Sequence, residues 1–176
     1  MGIAEDIATL DELVKDKQAE LNNHKKARDK FQSDMKACQM RRDSFHKNVT
    51  ALISQIQKLK DERENYNKLT REAKANRDAV RERIDEARAN GVRDLGALKE
   101  ERDAYHRQVE EYYAKSQAVH EQIEKLRDQI DASKNLADEQ HAQAIRFKEA
   151  ADNEHQLFLQ CLAELRELQD ELPDLL

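Results

Sequence analysis

The chain has 176 residues, of which 39% are Asp, Glu, Lys or Arg, and it carries a formal net charge of −6. It contains three Gly, one Pro and no Trp. So many charges cannot fill a wide core, and so few turn formers cannot supply the loops of an ordinary globular domain. No run of 18 apolar residues occurs, which argues against a membrane-spanning helix.

The first residues, MGIAEDIATL, lack the basic and apolar regions of a secretory signal. Asp6 breaks the myristoylation pattern. The expected location is the cytoplasm. Cys38 and Cys161 fit a reducing compartment and show no metal-ligand spacing.

From Ile3 onward the chain is built of strong helix formers: Ala, Glu, Lys, Arg, Leu and Gln. A seam of positions at alternating steps of three and four runs from 3 to 87 without a skip, and 18 of its 25 positions are apolar. They include Ile3, Ile7, Leu10, Val14, Phe31, Met35, Phe45, Val49, Leu52, Ile56, Val80 and Ile84. This heptad seam predicts a first helix over about 3–89.

The pattern breaks at Asn90-Gly91-Val92-Arg93-Asp94-Leu95-Gly96. Gly91 suits the left-handed position after a helix, and Asp94 can cap the next one, so a turn is expected at 90–96. The seam resumes at 98 and continues to 172, with Leu98, Val109, Val119, Ile123, Leu126, Ile130, Phe147, Phe158, Leu165, Leu168 and Leu172. A second helix is expected over about 97–172, ended by Pro173. Two long helices joined by a short turn are antiparallel neighbours. The expected fold is all-α: one long two-helix antiparallel coiled-coil hairpin, about 120 Å long at 1.5 Å per residue.

Two registers remain open, with facing residue numbers adding to 182 or to 189. The first sets Arg28 opposite Glu154 and Arg42 opposite Gln140. The second sets Arg42 over Phe147, Arg77 over Tyr112 and Phe45 against Ala144. Neither pairs the two cysteines.

Two ladders of polar residues stand out. Arg28, Arg42, Arg63 and Arg77 share one heptad letter, each followed by Asp or Glu. Polar seam residues of this kind fix register at a cost in stability. His106, His120, His141 and His155 flank the second seam at spacings of 14, 21 and 14. Those spacings are too wide for metal binding, and the histidines read as repeat positions with partly exposed rings. Neither a nucleophile with its base, a phosphate-binding Gly loop nor a metal motif is present, so no catalytic site, cofactor or small-molecule substrate is expected.

Charge divides unevenly. Residues 1–90 carry 20 Lys/Arg against 17 Asp/Glu, and residues 91–176 carry 11 against 20. Opposite charge on the two arms helps them pair. Near the turn, Lys68, Arg71, Lys74, Arg77, Arg81, Arg83, Arg88 and Arg93 form a basic stretch suited to a phosphate backbone. Of these, Lys68, Arg71, Lys74, Arg81, Arg88 and Arg93 are the candidate nucleic-acid contacts. Acids interleave with them, and no aromatic stacking platform accompanies them.

The other end is rich in apolar residues. Ile3, Ile7, Leu10, Leu13, Leu159, Leu162 and Leu165 make a stripe wide enough for further helices, which predicts a homodimer through this end. In the uncharged stretch from Asn48 to Gln57, opposite Ala132–Leu136, helix propensity dips, which leaves a bend and a straight rod as alternatives there.

The Arg-Asp units and the run ADNEHQLFLQCLAELRELQDELPD (151–174), preceded by His141, resemble a family of uncharacterised archaeal coiled-coil proteins. Some of its members carry a phosphoserine phosphatase label. This chain lacks the Asp-x-Asp motif and buried strand that such chemistry needs. The family is also similar to a eukaryotic coiled-coil protein found with messenger ribonucleoprotein particles and translating ribosomes. The resemblance implies a non-catalytic adaptor or spacer whose partner is a ribosome or another ribonucleoprotein. The alternative is a purely structural, self-assembling scaffold with no nucleic-acid role. These are discriminated by salt-sensitive co-sedimentation with ribosomes on one side and assembly without RNA on the other.

Overall fold

A computed structural model describes residues 2–175, with side chains described up to residue 171. Two helices account for nearly all of it: α1 (Ile3–Ala89) and α2 (Gly96–Leu175). They pack against each other as a helical hairpin. α2 starts at Gly96, inside the segment expected to be turn, and runs beyond Pro173 to Leu175. Leu172, Leu175 and Leu176, which the sequence adds to the apolar end, lie outside the described side chains. The uncharged stretch at 48–57 is helical, as is 132–136.

The heptad seam and the burial pattern coincide. Every seam residue of α1 from Ile7 to Ala87 is buried or half-buried, and so is every seam residue of α2 from Leu98 to Leu168. Side chains three and four apart share one helix face, so this periodicity leaves each helix one narrow stripe for its partner.

The chain divides into two compact units, Met1–His46 with Asn135–Leu176, and Lys47–Lys134. The second holds the turn. Its core is a cluster of Val49, Leu52, Ile56, Val119, Ile123 and Ile130, with Leu59, Tyr66 and Leu126 packed against it. A smaller cluster of Val80, Ile84 and Leu95 seals the turn, joined by Ala87, Leu98 and Tyr105. In the unit holding both helix ends, Leu10, Val14, Cys38, Ala137, Ala144, Ala151, Cys161 and Leu165 are buried. Phe31 and Phe147 stack there at 6.3 Å. Small residues on α2 let α1 approach closely, and aromatic rings fill the space that remains.

The turn uses the chemistry its residues suggest. Gly91 has φ of 79°. The Val92 N–H donates to the Ala87 carbonyl at 2.9 Å, and the Gly91 N–H to the Arg88 carbonyl at 3.1 Å. This pair of bonds is a Schellman motif, which satisfies carbonyls the helix end would otherwise leave unpaired. Asp94 Oδ1 then accepts from the Gly96 N–H at 3.2 Å and caps α2.

Contacts in both units fix the register. Asn48 pairs with Ser133 and Asn67 with Ser116 in one; Cys38 lies near Gln143 and Arg41 bonds Gln140 in the other. Each pair adds to within one of 182. The register adding to 189 is not formed, nor are its stacks of Arg42 on Phe147 and Arg77 on Tyr112. Among the described residues, the cation–π contacts that form are Arg28 over Phe158 at 5.1 Å and Lys115 over Tyr66 at 5.9 Å. Polar seam residues are satisfied locally: Ser133 and Ser116 by those asparagines, and Thr70 by the Tyr66 carbonyl at 2.8 Å.

Candidate nucleic-acid interface

With seam positions lettered a and d, each helix has two flanks, e and g. In antiparallel pairing, e of one helix lies beside e of the other, and g beside g. The four ladder arginines are a residues, and the four ladder histidines are e residues. The structure joins them one to one. In the turn-containing unit, Arg63 Nη1 meets His120 Nδ1 at 3.1 Å and Arg77 Nη1 meets His106 Nδ1 at 3.3 Å. In the other unit, Arg28 meets His155 at 3.1 Å and Arg42 meets His141 at 3.2 Å.

A guanidinium only donates, so each Nδ1 accepts and its ring proton sits on Nε2. His106 Nε2 then donates to Glu110 at 3.0 Å. Arg28, Arg42 and Arg77 are held from behind by Asp29, Asp43 and Asp78, each the next residue in sequence, at 3.1–3.3 Å. Relative to the first register, each arginine meets the residue one position further along α2: His155 beside Arg28 where Glu154 was expected, and His141 beside Arg42 where Gln140 was expected. Glu154 binds His24 at 2.7 Å instead of Arg28, and Gln140 binds Arg41 instead of Arg42. The histidines are thus register elements in contact with the arginines, a pairing that reading each ladder separately had missed. A double-mutant cycle on Arg63→Ala and His120→Ala should give a coupling of about 0.5–1 kcal/mol in urea unfolding, the usual worth of one half-exposed hydrogen bond. Strictly additive losses would show that the contact contributes nothing.

The two flanks differ in charge. On the g flank, carboxylates reach across to cations of the other helix. Arg83 faces Glu101 at 3.4 Å in the turn-containing unit, and Lys17 bonds Glu164 in the other. The bond to Glu164, with a further one to Glu20, raises the Lys17 pKa above its ordinary value, and Lys17 in turn lowers that of Glu164. Beside them, burial pushes the Cys161 thiol up. Cys38 and Cys161 are both free and buried.

The e flank carries no Asp or Glu from residue 18 to 88 or from 99 to 169. In the turn-containing unit its α1 row is Ile53, Lys60, Asn67, Lys74, Arg81 and Arg88. Its α2 row is Lys99, His106, Tyr113, His120, Arg127 and Lys134. Among the described residues, no ion pair joins the two helices across this flank, and Lys74, Arg88 and Lys99 form none at all. Arg81 and Arg127 pair only with Asp78 and Glu124 on their own helices, at 3.5 and 2.9 Å.

All six cations singled out near the turn are exposed and lie in one unit. The structure divides them by face. Lys74, Arg81 and Arg88 share the e flank, one heptad apart. Lys68 and Arg71 point elsewhere around α1, where Arg71 pairs with Glu64 at 3.2 Å. Arg93 belongs to the turn. Sequence reasoning missed Lys99, Arg127 and Tyr113 on the same flank. Tyr113 is 58% exposed and supplies the aromatic surface that the basic stretch of α1 lacks.

At the apolar end, Leu10 and Leu165 are buried within the hairpin seam, and Ile7 and Leu162 are half-buried. Ile3, Leu13 and Leu159 are exposed. Leu13 lies on the g flank and Leu159 and Leu162 do not, so the exposed apolar atoms are spread around the helices.

A surface depression of about 500 Å³ opens on the g flank of the turn-containing unit. Leu59 and Leu126 form its floor, and Gln55, Gln122 and Gln129 line it with Lys58 and Lys125. It brings together no carboxylate, thiol or imidazole. Among the described residues, no group of three or more His, Cys, Asp or Glu gathers as a metal would require, and no helix is long and apolar enough to cross a membrane.

The model of a family of unknown function (DUF7121) matches residues 89–175, which are the last residue of α1, the turn and α2. Comparison with curated proteins returns no match, and neither does comparison with solved structures. The matched stretch contains all four ladder histidines and Tyr113, but only one of the two helices that form the e flank.

Proposed function

We propose that this hairpin is a non-catalytic adaptor or spacer of the cytoplasm that docks on a ribosome or another ribonucleoprotein through its turn-containing unit. The observation that carries the reading is the exposure of six cations beside the turn, of which Lys68, Lys74, Arg88 and Arg93 form no ion pair among the described residues. A cation with no carboxylate to satisfy is available to a phosphate. The resemblance to archaeal coiled-coil proteins, and through them to a eukaryotic ribonucleoprotein-associated protein, points the same way.

The test is co-sedimentation with ribosomes from lysate, with and without RNase. Wild-type protein is expected in the ribosomal pellet at low salt and in the supernatant at moderate salt. Reversing charge at Arg81, Arg88 and Arg93 should release it at low salt while helicity stays unchanged. Undiminished pelleting of the triple variant would refute docking through the turn.

A second reading, a self-assembling scaffold, is favoured by the exposure of Ile3, Leu13 and Leu159. It requires a homodimer through the unit holding both helix ends. Light scattering at micromolar concentration decides it, since a monomer there excludes the dimer.

A further inference from the structure

We propose that the e flank of the turn-containing unit is a track for single-stranded RNA, its cations holding phosphates and Tyr113 stacking a base. The proposal deepens the ribonucleoprotein reading and rests on it.

The argument begins with a cost. Flanking positions of a coiled coil ordinarily carry opposite charges that draw the helices together. Here the rows that meet across the flank are cationic or neutral on both sides. Like charges in this arrangement destabilise the hairpin, and the g flank, with Arg83 facing Glu101, shows that the chain can do otherwise. A bound polyanion offsets that cost. Lys74, Arg88 and Lys99 have no carboxylate to release first, and those of Arg81 and Arg127 lie in solvent, where an ion pair contributes little.

Geometry selects the kind of polyanion. Cations recurring every seven residues stand about 10.5 Å apart along each helix. Tyr113 sits one heptad from His106 and one from His120, with its ring in water. A basic track with an exposed aromatic is what unpaired nucleotides use: phosphates follow the charge and a base covers the ring. A duplex hides its base faces and leaves Tyr113 nothing to stack on. An acidic polypeptide would use the charges but has no base to cover the ring.

The experiment uses the full chain and a fluorescein-labelled oligouridine of about 15 nucleotides, within the length range such tracks accommodate, read by anisotropy at low salt. Tyr113→Ala should weaken binding about tenfold, and Tyr113→Phe should restore it, because stacking needs the ring and not the hydroxyl. The double reversal Lys74→Glu with Lys99→Glu should weaken binding further. Lys58→Glu with Lys125→Glu, the same change of charge on the g flank, should leave it nearly unchanged. Equal losses from both double variants, tighter binding of an RNA duplex or a polyglutamate than of oligouridine, or no binding by the wild type would each overturn the track. The ribosome assay separates the two readings. If the Tyr113→Ala and Lys74→Glu/Lys99→Glu proteins bind oligouridine as the wild type does and still pellet with ribosomes, the track is wrong and docking stands. If the wild type fails to pellet yet binds oligouridine with the expected variant pattern, the track stands and ribosome docking fails.

Discussion

Replacing Ile123 by Ala is expected to cost about 2–5 kcal/mol, the largest loss from any single side chain in the hairpin. Ile123 is fully enclosed, at 0% exposure, by the cluster of Val49, Leu52, Ile56, Val119 and Ile130. A two-helix seam has one layer of side chains, so no second shell exists to collapse into the vacated volume. The cost should therefore fall at the upper part of that range. Urea unfolding followed by circular dichroism should show a lower midpoint with an unchanged slope, since the surface exposed on unfolding hardly differs. Ile53 provides the control. It is 53% exposed on the same helix pair, and Ile53→Ala should shift stability by no more than about 0.5 kcal/mol. Similar losses at both positions would mean that Ile123 is not packed as described.

Gly91→Val is the second large effect, and its cause is the backbone. A Cβ at Gly91 would meet nothing within 4 Å, so no neighbour resists it. The strain lies in φ of 79°, which an L-residue adopts at a cost of about 1–2 kcal/mol, and which a branched Cβ resists most. Two Schellman hydrogen bonds and the packing of Leu95 on Val80 and Ile84 depend on that conformation. Gly91→Asn should recover most of the loss, because Asn tolerates the left-handed region. If Val and Asn destabilise equally, the turn does not use this geometry in solution.

The seam was legible because its alternation of threes and fours never slips: a single heptad reading predicts burial from Ile7 to Ala87 and from Leu98 to Leu168. The turn was legible for a similar reason. Gly91 and Asp94 each have one obvious use beside a helix end, and each has it here. Register was not legible from the apolar pattern, because sliding one helix by a heptad keeps apolar residues against apolar residues. The choice falls to polar pairs, and their key was present but unread. Arg28, Arg42, Arg63 and Arg77 have the same 14, 21 and 14 spacing as the histidines, and only one antiparallel register matches all four at once. The row of cations on the e flank was half legible. Lys74, Arg81 and Arg88 stand out in a basic stretch, whereas Lys99, Tyr113 and Arg127 join them only when α2 folds back. At the apolar end, Leu10 and Leu165 serve the hairpin's own seam, whereas Ile3, Leu13 and Leu159 are exposed.

The mirror spacing of the two ladders also bears on how such a chain can change length. The series 14, 21, 14 reads the same in both directions, so the arginines going out and the histidines coming back are matched like teeth on two combs. Removing seven residues between Arg42 and Arg63 would keep every heptad letter in place yet throw Arg28 and Arg42 off their histidines by about 10.5 Å. Only a compensating removal between His120 and His141 would bring the teeth together again. Length variants of this hairpin should therefore differ by pairs of heptads placed at mirror-image sites, and a lone heptad in one arm should be rare.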